Sequence, residues 1–407
     1  MNILMVSSTF PYPPSRSGTE VRTFNLLKYL HRRHSIVLVT QQSAVVSQAD
    51  VEALRPWVRE LVIFPMRVEG PDKAGVWRWA GKGWRFLESM LKATPPNVLY
   101  RYSAEMQAWI DTHVRAGKFE AMTCEHSANA IYVRPGFRQY VRTVVNVHSS
   151  VYGGKLKYLQ AGASDNSWRD RIYLSTLYRY EKRYCQQAER IVVTTPDDRQ
   201  QLLELNPAAA VEVIPNGVDL ELFPYRPADP GGQGLIFVGA MDLAHNVDAA
   251  LFFALEVMPG LRARYPEATF SIVGSRPIAK IQDLAQQPGV IVTGRVPSVV
   301  DYLYDSAVCV VPLRTGFGIK NKTLEAMAAG VPVVGSDRGL EGLAVDGPDC
   351  PLRALRANQL QEYIEAIGRL FADGELRSQL SHRGRELVET EYTWEKAGQS
   401  YEQVLFG

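Results

Sequence analysis

The run Gly316-Phe317-Gly318-Ile319-Lys320-Asn321-Lys322-Thr323-Leu324-Glu325-Ala326-Met327-Ala328-Ala329-Gly330 combines two close glycines, two lysines and one acid. Glycines allow the backbone to approach a ligand closely, and lysines bring positive charge. The subsequent residues read as a helix, so an anion is expected at its start. Glu325 falls one turn into that helix. Its carboxylate is suited to accept hydrogen bonds from a pair of ribose hydroxyls, although the helix dipole favours an acid there in any case. Outside this run, candidate residues stand where apolar stretches end. Gly239 follows Leu235 to Val238, His126 follows Ala121 to Cys124, and His148 follows Thr143 to Val147. Arg16 and Gly18 lie in a polar loop after the first apolar run, where Thr19 is a candidate helix cap.

These residues need strands and helices to hold them. Ala307 to Pro312 and Pro332 to Gly335 are short continuous apolar runs on either side of the lysine helix, the pattern of a βαβ unit with two buried parallel strands. Similar runs at 2–6, 36–39, 61–64, 121–124, 143–147 and 191–194 form a first series, and 235–239, 270–274 and 290–292 open a second. On the opening helix Val21, Phe24, Leu27 and Leu30 recur on one face, and Asn246 is placed to cap the helix after Gly239. The fold class is α/β: two Rossmann-like domains with parallel sheets facing a central cleft. Prolines and glycines from Ile214 to Gly234 mark the join, dividing the chain into residues 1–212 and 213–390.

The bulk composition excludes several classes. In 407 residues, 46% hydrophobic and 22% charged, the formal net charge is only +2, so no global field argues for nucleic acid. Cys124, Cys185, Cys309 and Cys350 are widely spaced, which predicts reduced core thiols rather than disulfides or a zinc site. An opening strand leaves no room for a signal peptide, and no apolar run approaches the roughly 20 residues of a membrane span, so a cytoplasmic protein is expected. Residues 73–92 interleave Lys73, Arg78, Lys82, Arg85 and Lys92 with Trp77, Trp79, Trp84, Phe86 and Leu87. Such a segment suits either peripheral contact with the inner face of an anionic membrane or a domain helix with buried tryptophans.

The run from Gly316 through Pro332 resembles the donor motif of retaining glycosyltransferases of the GT-B fold, in the family usually called family 4, particularly a branch with Asn-Lys before Leu-Glu-Ala-Met. Ile214-Pro215-Asn216-Gly217-Val218-Asp219 is similar to that family's interdomain signature. The resemblance implies that residues 1–212, completed by a helix at 391–407, face the acceptor, and that 213–390 bind a nucleotide sugar, most often a UDP-sugar. It places Glu325 on the ribose, and Gly239, Gly316, Gly318, Lys320 and Lys322 along the diphosphate, within a donor loop that includes Phe317, Ile319, Asn321 and Thr323. It further implies Gly18 at the donor, His148 near the transferred sugar, and Arg16 and His126 on the acceptor side. The chain departs from the family at Phe317, where a second glutamate is usual, and at Ala240 and His245, where arginine and lysine are common.

The activity implied by the resemblance is transfer from a nucleoside-diphosphate sugar to a glycan or polyprenyl-linked acceptor in cell-surface polysaccharide synthesis, with no metal and no cofactor beyond the donor. Other readings of the same scaffold are a non-catalytic nucleotide-sugar or glycan binder, and a GT-B epimerase or phosphorylase.

Overall fold

The computed structural model describes residues 1–14, 17–67, 86–160, 167–316, 318–348 and 350–407. Arg16, Phe317 and most of the 73–92 segment therefore lie outside the described residues. The chain separates into two compact units, Met1–Pro215 with Ala397–Gly407, and Asn216–Lys396.

In the first unit seven strands form one parallel sheet: β1 (Asn2–Ser7), β2 (Ser35–Gln42), β3 (Glu60–Pro65), β4 (Ala121–Glu125), β5 (Arg142–His148), β6 (Arg190–Val193) and β7 (Val211–Val213). Their spatial order is β3-β2-β1-β4-β5-β6-β7, so the chain reverses its direction of winding between β1 and β4. At such a switch point the carboxyl ends of the strands leave a crevice. The helices of this unit include α1 (Gly18–Leu30), α2 (Val151–Gln160), α3 (Ser167–Gln187) and α4 (Pro196–Leu205). Ile3, Leu4, Met5 and Val6 are all completely buried, as expected for a strand covered on both faces.

The second unit repeats this topology. Strands β8 (Gly234–Val238), β9 (Thr269–Val273), β10 (Val290–Gly294), β11 (Val308–Val311), β12 (Val333–Gly335) and β13 (Leu355–Arg356) run in the parallel order β10-β9-β8-β11-β12-β13. Its switch point lies between β8 and β11. Helix α5 (Ala244–Phe252) follows β8, and α6 (Asn321–Ala328) joins β11 to β12. The last helix, α7 (Trp394–Phe406), ends inside the first unit, where Tyr401 and Leu405 are buried. There Glu402 accepts from the Tyr29 hydroxyl at 3.1 Å and meets His34 Nε2 at 2.7 Å.

Local expectations changed in four places. Helix α1 is capped by the Ser17 hydroxyl, which accepts from the Glu20 N–H at 3.4 Å, and Thr19 lies inside the helix. Its buried face includes Arg22 at 0% exposure, a residue the apolar spacing passes over, while Val21 is only partly buried. Cys124, Cys185 and Cys309 are buried free thiols, but Cys350 is half-buried rather than in the core. Strands β7 and β13 are too short to leave a periodic signal. Among the described residues no helix is long and apolar enough to cross a membrane.

Candidate active site

In the second unit, the turn after β8 and the helix after β11 meet at the switch point. Lys322 Nζ lies 2.6 Å from Asn246 Oδ1 and 4.2 Å from the centre of the Phe237 ring. Asn246 Nδ2 donates to the Ala240 carbonyl at 2.9 Å, which fixes the amide with its oxygen towards the lysine. A Cβ added at Gly239 would stand 2.7 Å from Asn246 Nδ2 and 2.9 Å from Lys322 Nζ, so this position admits glycine alone without displacement. Gly316 and Gly318 hold φ values of 110° and 70°, which only glycine adopts without strain.

Charge at this site is strongly perturbed. Burial pulls the Lys322 ammonium down to about 7, against the opposing pull of Cys309 and Glu325. Glu325, one turn further along α6, is pushed up to about 7 by burial, with Lys322 acting against the shift. His245 falls to about 4 through burial and the nearby positive charges of Lys322 and Lys320. Perturbed groups gathered in this way are a mark of functional sites. Helix α6 follows Lys320, whose side chain does not cap it; the Thr323 N–H turns back to the Lys320 carbonyl at 3.0 Å, which leaves the Asn321 and Lys322 N–H groups and the positive end of the dipole for a ligand.

Other residues of the donor loop are committed to the fold. Lys320 is buried, bonded to the Gly318 carbonyl and paired with Glu341 at 3.1 Å; Glu341 also takes Arg338 at 2.9 Å. Thr323 Oγ1 donates to the Gly339 carbonyl at 2.8 Å, Ile319 is 7% exposed, and Asn321 accepts from Asn216 at 2.9 Å. Their side chains shape the loop, and the free charge is concentrated on Lys322. Asn246 is the third residue of α5, whose cap position is Leu243; it is a lysine partner and not a helix cap.

In the first unit, the two candidate histidines come together at the carboxyl ends of β4 and β5, with ring centroids 5.5 Å apart. His126 and His148 have φ values of 79° and 69°, a strained region for non-glycine residues that recurs at functional sites. Both rings are held neutral by burial: His126 falls to about 4, helped by Arg101, and His148 lies well below its ordinary range, helped by Arg22 and His126. His126 Nδ1 accepts from the Ala128 N–H at 3.2 Å, whereas His148 Nε2 is buried with no hydrogen-bond partner among the described residues. Gly18 is the first residue of α1 and is exposed.

Two buried networks fix these strand ends. Arg22 Nε donates to Asn146 Oδ1 at 3.0 Å, Asn146 Nδ2 donates to Glu125 Oε2 at 2.7 Å, and Glu125 Oε1 accepts from Tyr401 at 2.8 Å and Thr123 at 2.6 Å. The loop after His148 is held by Asp198, which accepts from the Ser150 N–H at 3.0 Å. Glu181 accepts from Ser150 Oγ at 2.7 Å and from the Val151 and Tyr152 N–H groups at 2.8 and 3.0 Å.

Residues 16–222 match the family described as Glycosyltransferase Family 4, and residues 232–373 match Glycosyl transferases group 1. The chain belongs to glycosyltransferase family 4. Among curated relatives, D-inositol 3-phosphate glycosyltransferase of Nocardiopsis dassonvillei is 31% identical over 240 residues, covering 52% of this chain and 54% of the relative. Lipopolysaccharide 1,2-N-acetylglucosaminetransferase of Salmonella typhimurium is 28% identical over 220 residues, 49% of this chain and 57% of the relative. The chain thus spans about half the length of the curated relatives it matches. The crystal structure of Anabaena HepE (Alr3699) in complex with UDP-glucose is 14% identical, with 100% of this chain and 99% of that chain covered at a TM-score of 0.66. The fold of this family 4 member is therefore GT-B.

Several residues of the family 4 chain escaped the sequence reading. Arg22, Asn146, Glu125 and Tyr401 are distant in sequence and meet only through the parallel order of the sheet and the return of α7. Glu181 sits in the long polar helix α3, where an isolated acid gives no signal of burial, yet it is 1% exposed. Asn246 was singled out in the sequence, but as a cap for the helix after Gly239.

Proposed function

We propose that this protein is a retaining glycosyltransferase that moves a sugar from a nucleoside-diphosphate sugar to a glycan or polyprenyl-linked acceptor. The observation that carries this reading is Lys322. Its ammonium is held by an amide oxygen and a ring face beside a glycine that leaves room for a ligand, and among the described residues no carboxylate pairs with it. Such a group is suited to the charge that develops on a departing diphosphate. Glu325 would accept from the ribose hydroxyls, and the N–H groups at the start of α6 would meet a phosphate oxygen. UDP is the favoured nucleotide because HepE was crystallised with UDP-glucose.

In this reading the bond between the sugar's anomeric carbon and the phosphate oxygen breaks as the bond to the acceptor oxygen forms on the same face. The acceptor hydroxyl's proton passes to the departing phosphate. No enzymic base is needed, which fits a first unit whose two histidines are made weak bases by desolvation. His148 Nε2, buried and without a hydrogen-bond partner among the described residues, is assigned to a hydroxyl of the transferred sugar. His126 and Arg16 are assigned to the acceptor side, and Gly18, the first residue of α1, to the donor. A glycan acceptor agrees with the Salmonella relative's name, and cell-surface polysaccharide synthesis at the cytoplasmic face is the setting we favour. Leu87 and Leu91, 49% and 79% exposed next to Lys92, would form part of a membrane contact through residues 73–92.

The test is a thermal-shift panel with uridine, guanosine and adenosine diphosphates, followed by transfer assays with the corresponding sugars and a membrane extract. A rise in melting temperature with one diphosphate and release of that diphosphate during transfer are expected. No response to any nucleotide would remove the reading.

A further inference from the structure

We propose that Asn246 is a positioning residue of the donor site, which aims the Lys322 ammonium at the diphosphate and does so without neutralising it. The inference rests on the donor reading above, in which Lys322 meets the diphosphate. Asn246 is 3% exposed, so it is placed to act on the lysine and not to touch a ligand itself. Both polar atoms of its side chain are engaged. Nδ2 donates to the Ala240 carbonyl at 2.9 Å, and Oδ1 faces Lys322 Nζ at 2.6 Å. The reverse orientation would set an NH₂ group against an ammonium and an oxygen against a carbonyl, so only one state of the amide satisfies both neighbours.

The asparagine is itself held. The Gly239 N–H donates to the Val273 carbonyl at 3.0 Å and the Met241 N–H to the Ser275 carbonyl at 2.8 Å, which ties the turn after β8 to the end of β9. A Cβ at Gly274 would collide with the Gly239 carbonyl, so the two turns pack backbone to backbone. Contacts thus run from β9 through this turn and the Asn246 amide to Nζ, at the tip of a long flexible side chain.

What this support lacks is charge. Lys320 gives its ammonium to Glu341 at 3.1 Å and to the Gly318 carbonyl. Lys322 instead has an amide oxygen and the Phe237 ring face 4.2 Å away, both of which attract an ammonium but carry no formal charge. An ammonium offers three N–H donors, of which Asn246 takes one. Lys322 is half-buried, and Gly239, where a Cβ would come within 2.9 Å of Nζ, leaves the space beside it open. A fixed cation that nothing in the chain cancels is suited to a developing diphosphate charge. A lysine left free would have to be ordered at the moment of binding, which weakens the complex.

Calorimetric titration of the full chain with UDP tests this through a double-mutant cycle of Asn246→Ala and Lys322→Ala. Lys322→Ala should weaken UDP binding about 30-fold, and Asn246→Ala, which keeps the cation but frees it, about 5- to 10-fold. In the Lys322→Ala background the Asn246 substitution should add less than about twofold, because the group it acts through is gone. Asn246→Asp keeps the shape and an oxygen beside Nζ but cancels the charge. It should bind UDP about tenfold more weakly than wild type and with a shallower dependence on salt concentration, a readout that a purely structural asparagine would not move. This isosteric variant decides if Asn246→Ala fails to fold. Wild-type affinity in Asn246→Ala overturns the inference, as do equal losses from it with and without Lys322, or an Asn246→Asp chain as tight and as salt-sensitive as wild type. Those outcomes leave the donor reading standing. UDP affinity unchanged by Lys322→Ala would remove the lysine's donor role, and absence of binding by UDP, GDP and ADP to the wild type would remove the donor reading itself, each taking this inference with it.

Discussion

Helices α2 and α6 both start just beyond the carboxyl end of a parallel strand, yet their starts are finished in opposite ways. At α2 the Glu181 carboxylate reaches from α3 and accepts from the Val151 and Tyr152 N–H groups. At α6 no side chain caps the first turn. A similar contrast holds for one cation in each unit. Arg22 in the first unit is completely buried and donates to Asn146 and to the Ile214 and Pro215 carbonyls, whereas Lys322 in the second unit has one amide oxygen and a ring face. Position at a strand's carboxyl end does not by itself make a ligand site. The two differ in whether donors and charges are satisfied from within the chain or left for something that arrives.

The contrast is easiest to break at Lys322. Lys322→Ala removes a preorganised charge from the proposed leaving-group site, and kcat/KM for the donor should fall about 10³-fold, ~4 kcal/mol in transition-state stabilisation. Its melting temperature should hold or rise, since a poorly compensated buried cation has been removed. Donor kinetics near wild type would make α6 a structural helix like α2. The opposite pattern is expected of Arg22→Ala. It leaves Asn146 and two carbonyls without their donor and should cost about 3 kcal/mol in denaturant unfolding. UDP binding to the second unit should survive under native conditions; loss of UDP binding without loss of stability would reverse the roles assigned to the two cations. Tyr401→Phe asks the same question more gently, because it removes a donor to the completely buried Glu125. A loss of about 1–2 kcal/mol in unfolding, with unchanged donor KM, is expected.

How much of this could be read beforehand depends on the range over which each feature acts. The strands declared themselves because doubly covered parallel strands are continuous apolar runs, and Val308 to Val311 are all fully buried. The lysine loop stood out because Gly316, Gly318, Lys322 and Glu325 lie within one short stretch. Lys320 looked equivalent to Lys322, yet only the fold brings Glu341 to it. Asn246 looked like a cap because capping is a local property, and its actual partners, Ala240 and Lys322, include one 76 positions away. Arg22 shows the limit most clearly. A basic residue on an amphipathic helix reads as solvent-facing, and its burial follows from Asn146, Ile214 and Pro215 being drawn to it from 124, 192 and 193 residues away.

The last effect is expected at the capped helix itself, and it depends on pH. Burial pushes Glu181 from its ordinary 4.5 up to about 7, although three donors pull the other way. The folded state then holds the proton more tightly than the unfolded chain does. The stability contributed by that proton is fully present below about pH 4.5 and is lost as pH rises through 7. Glu181→Gln has no proton to lose, and its amide can still accept from the two N–H groups while donating to Ser150 Oγ. Measured against its own value at pH 5, the variant should therefore gain on wild type by roughly 2–3 kcal/mol by pH 8 in unfolding experiments. A difference that does not change with pH would mean that the donors outweigh burial and Glu181 is ionised throughout. In that case α2 is capped by a full negative charge, and its start is closed to an incoming anion by repulsion as well as by occupancy.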